Sequence, residues 1–460
     1  MKTSYIKSIV AAAMVFCCTM GVSAQALHSS YFLDGMVQRH ELNAAFGGEA
    51  NFIALPGLSG FNLGVSTNFG LSNYVFKRGD QLVLGLSKQV SAAEFLGGLP
   101  ANNQLDFQLD IPILSVGFRG MGGFNTITLK DRTFIGANIP SSLFAFLKQG
   151  ADPATGVARY DIDNLTLQAN NYMEFALGHS RKLEALEGFS YGVKLKFLVG
   201  VADAMASVEH IGIEMSNNRW MVETRGIGSV SSGVDFVYDE EGNLSNVSAN
   251  NLHVGGYGFG ADLGVAYTPA ALPGLTVSAA VNDLGFISWQ GVNTTQAEGQ
   301  FEYTGFETIT TDEATLNEQL NAVLDDVVEL AHFTPGETTT ISKQLQTTLN
   351  VGVEYAILNR KISFGILSST RFGAPYTYAE GMAVVNFRPA SWFQAAINCS
   401  VSTQGTAVGA LLTFCPNGAN IFFGCDYVSP NMKFSPQAIP LYGTRANLRT
   451  GIIITFGKKK

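Results

Sequence analysis

Three stretches of the chain carry residue types from which binding or reactive sites are built. Gly256-Tyr257-Gly258-Phe259-Gly260-Ala261 has the glycine spacing of a dinucleotide-binding turn, where backbone N–H groups at a helix start meet a pyrophosphate. His40-Glu41 opens as a zinc-peptidase helix does, in which paired imidazoles hold the metal and the glutamate activates water. Lys194 and Lys196, two apart, emerge on one side of a strand, placed to attract an anionic head group or to pair with carboxylates such as Asp262 and Asp426.

The neighbouring residues decide among these readings. The glycines of 256–260 sit inside a strictly alternating stretch, so no helix start is available to face a phosphate. Ala44 stands where the second metal-binding histidine is required, and His28, His40, His179, His210, His253 and His332 are scattered. Cys399, Cys415 and Cys425 are odd in number and lack metal-ligand spacing. No catalytic residue, cofactor or metal is therefore expected, and the chain does not read as an enzyme. What remains is a set of charged residues on strands: Lys194, Lys196, Asp262, Asp426 and Arg449.

The strands that would position them are legible from a period of two. Over 189–201, Phe189, Tyr191, Val193, Leu195, Phe197, Val199 and Val201 share one face, and Ser190, Gly192, Lys194, Lys196 and Gly200 the other. The stretch 257–267 repeats the pattern, with aromatic rings at both ends. Similar segments run near 61–70, 105–118, 124–136, 168–178, 275–288, 347–356, 361–370, 379–388, 393–402, 406–415, 420–428 and 446–456, making about fourteen, an even number. Their connections alternate in length. Short ones fall at 119–123, 179–188, 268–274, 357–360, 389–392 and 416–419; most of the others are long, near 71–104, 137–167, 203–252, 289–346, 371–378 and 429–445, with 403–405 the brief exception. That asymmetry is the pattern of an outer-membrane β-barrel with short turns and both mature termini on the periplasmic side.

Composition agrees. Only 14% of the 460 residues are charged, against about 25% in an ordinary globular protein. Beyond the first residues no run reaches the roughly 18 apolar residues of a membrane-spanning helix. A net charge of −9 argues against a polyphosphate partner such as nucleic acid. Residues 1–24 read as an export signal: Lys2 and Lys7, an apolar stretch, then Val22-Ser23-Ala24. Residues 25–59 are expected on the periplasmic side or folded into the barrel mouth as a plug, the barrel itself over 60–457, and an amphipathic helix over 311–330 within the long outer loop 289–346. In the closing stretch 447–460, Phe456 is placed near the periplasmic interface, and Lys458–Lys460 in water beyond it.

The stretch YFLDGMVQRHELNAAF, the pair GYGFGADLGVAYTP and LTVSAAVNDLGFISW, and the strands from VNFRPASWF onward resemble an uncharacterised family of Bacteroidetes outer-membrane proteins, itself similar to FadL-like and PorV-like fourteen-stranded barrels. The resemblance spans nearly the whole mature chain. Asn43-Ala44-Ala45 stands where FadL-like plugs often carry Asn-Pro-Ala, and the chain continues past Phe456, where such barrels often end on the aromatic residue. The FadL-like side of the resemblance implies passage of a hydrophobic or amphipathic small molecule through a plugged lumen. Arg39, His40 and Asn43 would then anchor the plug to the wall by hydrogen bonds, and ligand would touch positions such as Leu198 and Ile453. The PorV-like side implies a closed lumen and a platform binding secreted or envelope proteins through 203–252 and 289–346. A third possibility is a barrel without a transport role. Outer-membrane lipid is the surrounding partner in each case.

Overall fold

The computed structural model describes residues 27–457 except 49, 61, 80, 152–154, 217–218, 240–241, 243, 250–251, 304–330, 431–432 and 434–440. The expected export signal, the 311–330 helix and the final lysines lie outside the described residues.

Main-chain N–H and C=O groups in hydrocarbon find only each other, so each strand needs a neighbour on both sides. Fourteen antiparallel strands meet this condition by closing on themselves. In chain order, β1 comprises two collinear pieces, Asn51–Ala54 and Asn62–Thr67. It is followed by β2 (Asn102–Gly120), β3 (Gly123–Pro140), β4 (Ala158–Lys182) and β5 (Phe189–Ser216). β6 is again in two pieces, Arg219–Ser231 and Gly256–Tyr267, both pairing with β5 and with β7 (Leu275–Tyr303). β8 is Thr334–Gln344 plus Thr348–Ile357, both paired with β7. β9 (Ile362–Arg371), β10 (Tyr378–Ala390), β11 (Phe393–Ser402), β12 (Gly405–Phe414), β13 (Ala419–Val428) and β14 (Thr444–Phe456) complete the wall. β14 then pairs with β1, Asn51 opposite Phe456 and Ile53 opposite Ile454, which leaves the ring without an edge.

The two faces sort as the alternation requires. Leu195 and Ile397 are 63% and 68% exposed on the outside, whereas their neighbours Lys196 and Asn398 are buried inside. Among the described residues no helix is long and apolar enough to cross a membrane. The turns at one end are tight, as at Met121-Gly122, where both residues take positive φ, the backbone of a two-residue hairpin turn.

The wall differs from the sequence reading in two places. Its first strand begins at Asn51 rather than near 61, so the last part of the 25–59 segment belongs to the sheet. Much of 203–252 and 289–346 is also strand: β5 runs to Ser216, β6 begins at Arg219 and β7 reaches Tyr303, with a small hairpin, Val234–Tyr238 and Leu244–Ala249, inserted into β6. β4, β5 and β7 have 25, 28 and 29 residues, where about 9–11 cross a bilayer. Their outer halves therefore stand clear of it as a tall wall. Alternation was lost at this point for a physical reason. An extra residue, Val201, is bulged out where Asn171 and Tyr172 face Ala202 and Gly200, which changes the set of residues that points inward. In the outer half Ile211, Ile213 and Met215 pack inside, against Leu143, Phe146 and Leu147 of the helix Ser141–Gln149.

Leu195→Arg, on the lipid face beside the inward Lys196, is expected to lower the unfolding free energy of the vesicle-inserted barrel by about 2–4 kcal/mol, measured by urea titration. An unchanged midpoint would show that this face does not meet hydrocarbon.

Candidate functional site

Residues 27–50 fold back inside the ring. Two short 3₁₀ turns, His28–Phe32 and Val37–Glu41, shape the segment, and Leu27, Tyr31, Leu33 and Met36 are completely buried against inward wall residues such as Leu411, Phe422 and Ile453. So irregular a backbone has few hydrogen bonds of its own, and the wall supplies them. Asp426 accepts from Ser29 N at 3.2 Å, Gln394 from Gly35 N at 2.9 Å, and Asn420 Nδ2 donates to the Gly35 carbonyl at 2.8 Å. The Arg388 guanidinium donates to the Phe32 carbonyl. Asn282 and Asn350 both donate to the Leu42 carbonyl, at 2.9 and 3.0 Å. Close approach also needs missing side chains. A Cβ on Gly192 would lie 2.0 Å from Ala44 O, and one on Gly264 2.1 Å from Asn43 Oδ1.

The three residues expected to anchor this segment behave differently from one another. Asn43 reaches the wall through its side chain: Nδ2 donates to Tyr31 Oη at 3.0 Å and to the Val265 and Ala279 carbonyls at 3.3 and 3.4 Å, while Oδ1 accepts from Ala45 N at 2.9 Å. Arg39 does not anchor; its guanidinium pairs with Asp34 of the same segment at 2.6 Å and covers the Phe46 ring. His40 stacks on Phe52 and neither ring nitrogen has a hydrogen-bond partner in the protein. Burial, and then the charge of Lys194, push its ring down to about 3, so it is neutral. Its tie to the wall is through the backbone, Lys194 Nζ donating to the His40 carbonyl at 3.3 Å.

Most of the charged lumen residues form one connected cluster. Lys196 Nζ lies 2.6 Å from Asp262 and 2.5 Å from Asp283, and Lys194 is 3.4 Å from Asp262. Arg132 joins Asp283 at 2.8 Å and Glu174 at 3.0 Å, and Lys130 lies 3.4 Å from Glu174. Asp426 is not in this cluster, contrary to its proposed pairing with the lysines; it lies across the barrel, holding Ser29 and Asn398. Arg449 is 3.4 Å from Glu41. The strand pattern did not single out Arg132, Glu174 or Asp283. The signal available for the first two was their charge within otherwise alternating segments, and for Asp283 a positive φ of 59° hides its phase.

Beyond the segment, on the side away from the tight turns, lies a cavity of about 100 Å³. Phe134, Tyr172, Ile287, Trp289 and Leu345 give it an apolar side. Arg132, Asp283, Lys343 and Arg371 line it too, each ion-paired: Lys343 with Asp203 at 2.5 Å and Arg371 with Asp106. Two lining groups have buried atoms without a partner in the protein, Gln168 Oε1 and Arg371 Nε. Leu198 packs under Trp289 and Ile453 under the N-terminal segment, so neither of these expected ligand contacts lines the cavity. The sequence Gly188-Phe189-Ser190-Tyr191-Gly192 spells the nucleophile-elbow motif, yet it runs into β5 with no helix after it, and Ser190 Oγ donates to the Ala266 carbonyl at 3.4 Å. The glycines of 256–260 are likewise inside a strand.

The profile of a family of unknown function, DUF5723, matches residues 44–426. No curated protein matches the chain in sequence. Among solved structures, the toluene transporter TbuX of Ralstonia pickettii superposes with a TM-score of 0.42 at 9% identity, covering 91% of this chain and 94% of that one. The toluene transporter TodX of Pseudomonas putida gives 0.37 at 7% identity, with 96% of each chain covered. A FadL homologue of Pseudomonas aeruginosa gives 0.29 at 10%, with 90% of each covered.

Asn43→Ala removes the buried bonds to Tyr31 Oη and Ala45 N and is expected to lower stability by about 1–3 kcal/mol in urea titration. Arg39→Ala, whose partner Asp34 also lies 3.3 Å from Arg360, should cost less than about 1 kcal/mol. The reverse order would contradict the roles assigned to these side chains.

Proposed function

We propose that this chain, which belongs to the DUF5723 family of unknown function, is an outer-membrane barrel that takes a small amphipathic molecule into its lumen and passes it toward the periplasm, with residues 27–50 as the plug. The observation that carries this reading is the cavity above the segment. Trp289, Tyr172, Ile287 and Leu345 in its lining suit an apolar body, and Gln168 and Arg371 bring an acceptor, Oε1, and a donor, Nε, without a partner in the protein, for a polar head. Every cation lining the cavity already has a carboxylate, so a neutral or dipolar head fits better than a bare anion. Plug anchoring by Asn43, and the lumen cluster of Lys194, Lys196 and Asp262, keep the passage shut at rest in this reading.

A second reading, a non-transporting platform for envelope or secreted proteins, draws support from the tall wall formed by β4 to β8. Its surface carries charged pairs such as Arg159–Glu214 and Arg225–Glu209, set for a partner outside the bilayer.

Liposome swelling separates the two. With an amphipathic solute the purified barrel should swell vesicles faster than protein-free controls. Leu345→Trp, which fills the cavity, should lower that rate severalfold while leaving the heat-induced mobility shift of the folded barrel unchanged. Wild-type rates equal to the controls, together with a protein cross-linked to the tall wall, would replace the transport reading with the platform.

A further inference from the structure

The N-terminal segment is fastened to the wall unevenly. Side chains or carbonyls of β5, β6, β7, β8, β10, β11, β13 and β14 hold it, and Arg119, at the end of β2, reaches the Gly48 carbonyl. Among the described residues, β3 and β4 give it no hydrogen bond and no ion pair; β9 and β12 give none either, but each lies between two strands that do. What crosses there is close packing of the Phe124 ring and Ser180 on the backbone of Gly47 and Gly48, and the attraction between the Lys130 and Glu41 charges.

The same two strands join two cavities. Arg132 and Tyr172, opposite one another in the register, line the upper one. Thr126 and Gly178, also opposite, line a lower one of about 10 Å³ shared with His40, Ala44, Ser180 and Lys194, room for about one water. Six residues of strand separate the two pairs, roughly 20 Å at about 3.3 Å per residue. Lys130 and Glu174 lie between them. At the lower cavity the His40 ring, 3% exposed, holds two nitrogens with no partner in the protein, which a hydroxyl or water in the seam would satisfy.

We propose that a molecule held in the upper cavity leaves toward the tight-turn end through the seam between the N-terminal segment and strands β3 and β4, with His40 and Ala44 the part of the segment that gives way. This rests on the transport reading above. Freeing the segment from β5 to β14 would break many hydrogen bonds at once, whereas parting it from β3 and β4 breaks no hydrogen bond to those strands and, of the anchors named, gives up only the Lys194 bond to the His40 carbonyl. The whole plug need not be expelled.

The test is a disulfide across the seam. Ala44→Cys with Thr126→Cys, in the full mature barrel, should after oxidation lower the swelling rate with the amphipathic solute to the protein-free value, and dithiothreitol should restore it. Leu27→Cys with Gly424→Cys, across an anchored side at positions whose side chains carry none of the anchoring bonds, should leave the rate at that of wild type. A seam cross-link confirmed by gel mobility that still passes solute at the wild-type rate overturns the proposal. If the seam pair does not oxidise, His40→Ala decides: it widens the lower cavity and should raise the rate, and an unchanged rate overturns the proposal equally. A wild-type barrel that passes nothing overturns the transport reading itself, and is told apart by that control.

Discussion

Everything in this molecule follows from the cost of an unpaired peptide group in hydrocarbon. An unsatisfied N–H or C=O there costs several kcal/mol, and a sheet has one at every other residue of each edge strand. Pairing β14 with β1 removes both edges at once. That single seam fixes the rest: an even number of antiparallel strands, an apolar outer face, and an enclosed interior that must be filled.

The interior is filled by the chain's own start. Fourteen strands enclose more space than their inward side chains occupy, and residues 27–50 take up the half near the tight turns, bringing apolar bulk in Tyr31, Phe32, Leu33 and Met36. The remaining polar groups are reconciled by pairing. Buried lysines such as Lys196 would be untenable alone, and three carboxylates, Asp262, Asp283 and Glu174, surround it within 3.6 Å. The arrangement rigidifies the wall beside the cavity and leaves neutral amides and rings as the groups free to meet a guest.

The membrane-crossing part of the fold was legible because lipid imposes a strict rule on every second residue. A segment of each of the fourteen strands, including the faces of 189–201 and 257–267, follows from that rule alone, whereas the pieces Asn51–Ala54 and Thr334–Gln344 do not. It stops at the edge of the bilayer. Above it β5, β6 and β7 continue in water, where glutamate and arginine, such as Glu209, Glu223 and Arg225, take outer positions, and the bulge at Val201 resets the phase. Hence 203–252 and 289–346 read as loops. The candidate site was legible in kind and not in partner: inward charges had to pair, but whether Asp262 or Asp426 served the lysines depends on which strands adjoin. Asp262 lies opposite Lys194 in the register and Asp426 does not. Arg39 shows the same limit, since a local carboxylate, Asp34, competes successfully with the wall for its guanidinium.

The grip on the N-terminal segment comes from both ends of the sequence. Asn43 meets β6 and β7 in mid-chain, but Asp426 and Arg449 belong to the last two strands to emerge during synthesis. The segment is enclosed on every side, and β1, which follows it directly, forms half of the closing seam. Biogenesis is thereby ordered: the leading end must already be gathered into the curling sheet when the trailing strand zips shut, because a completed cylinder has no opening wide enough to receive it.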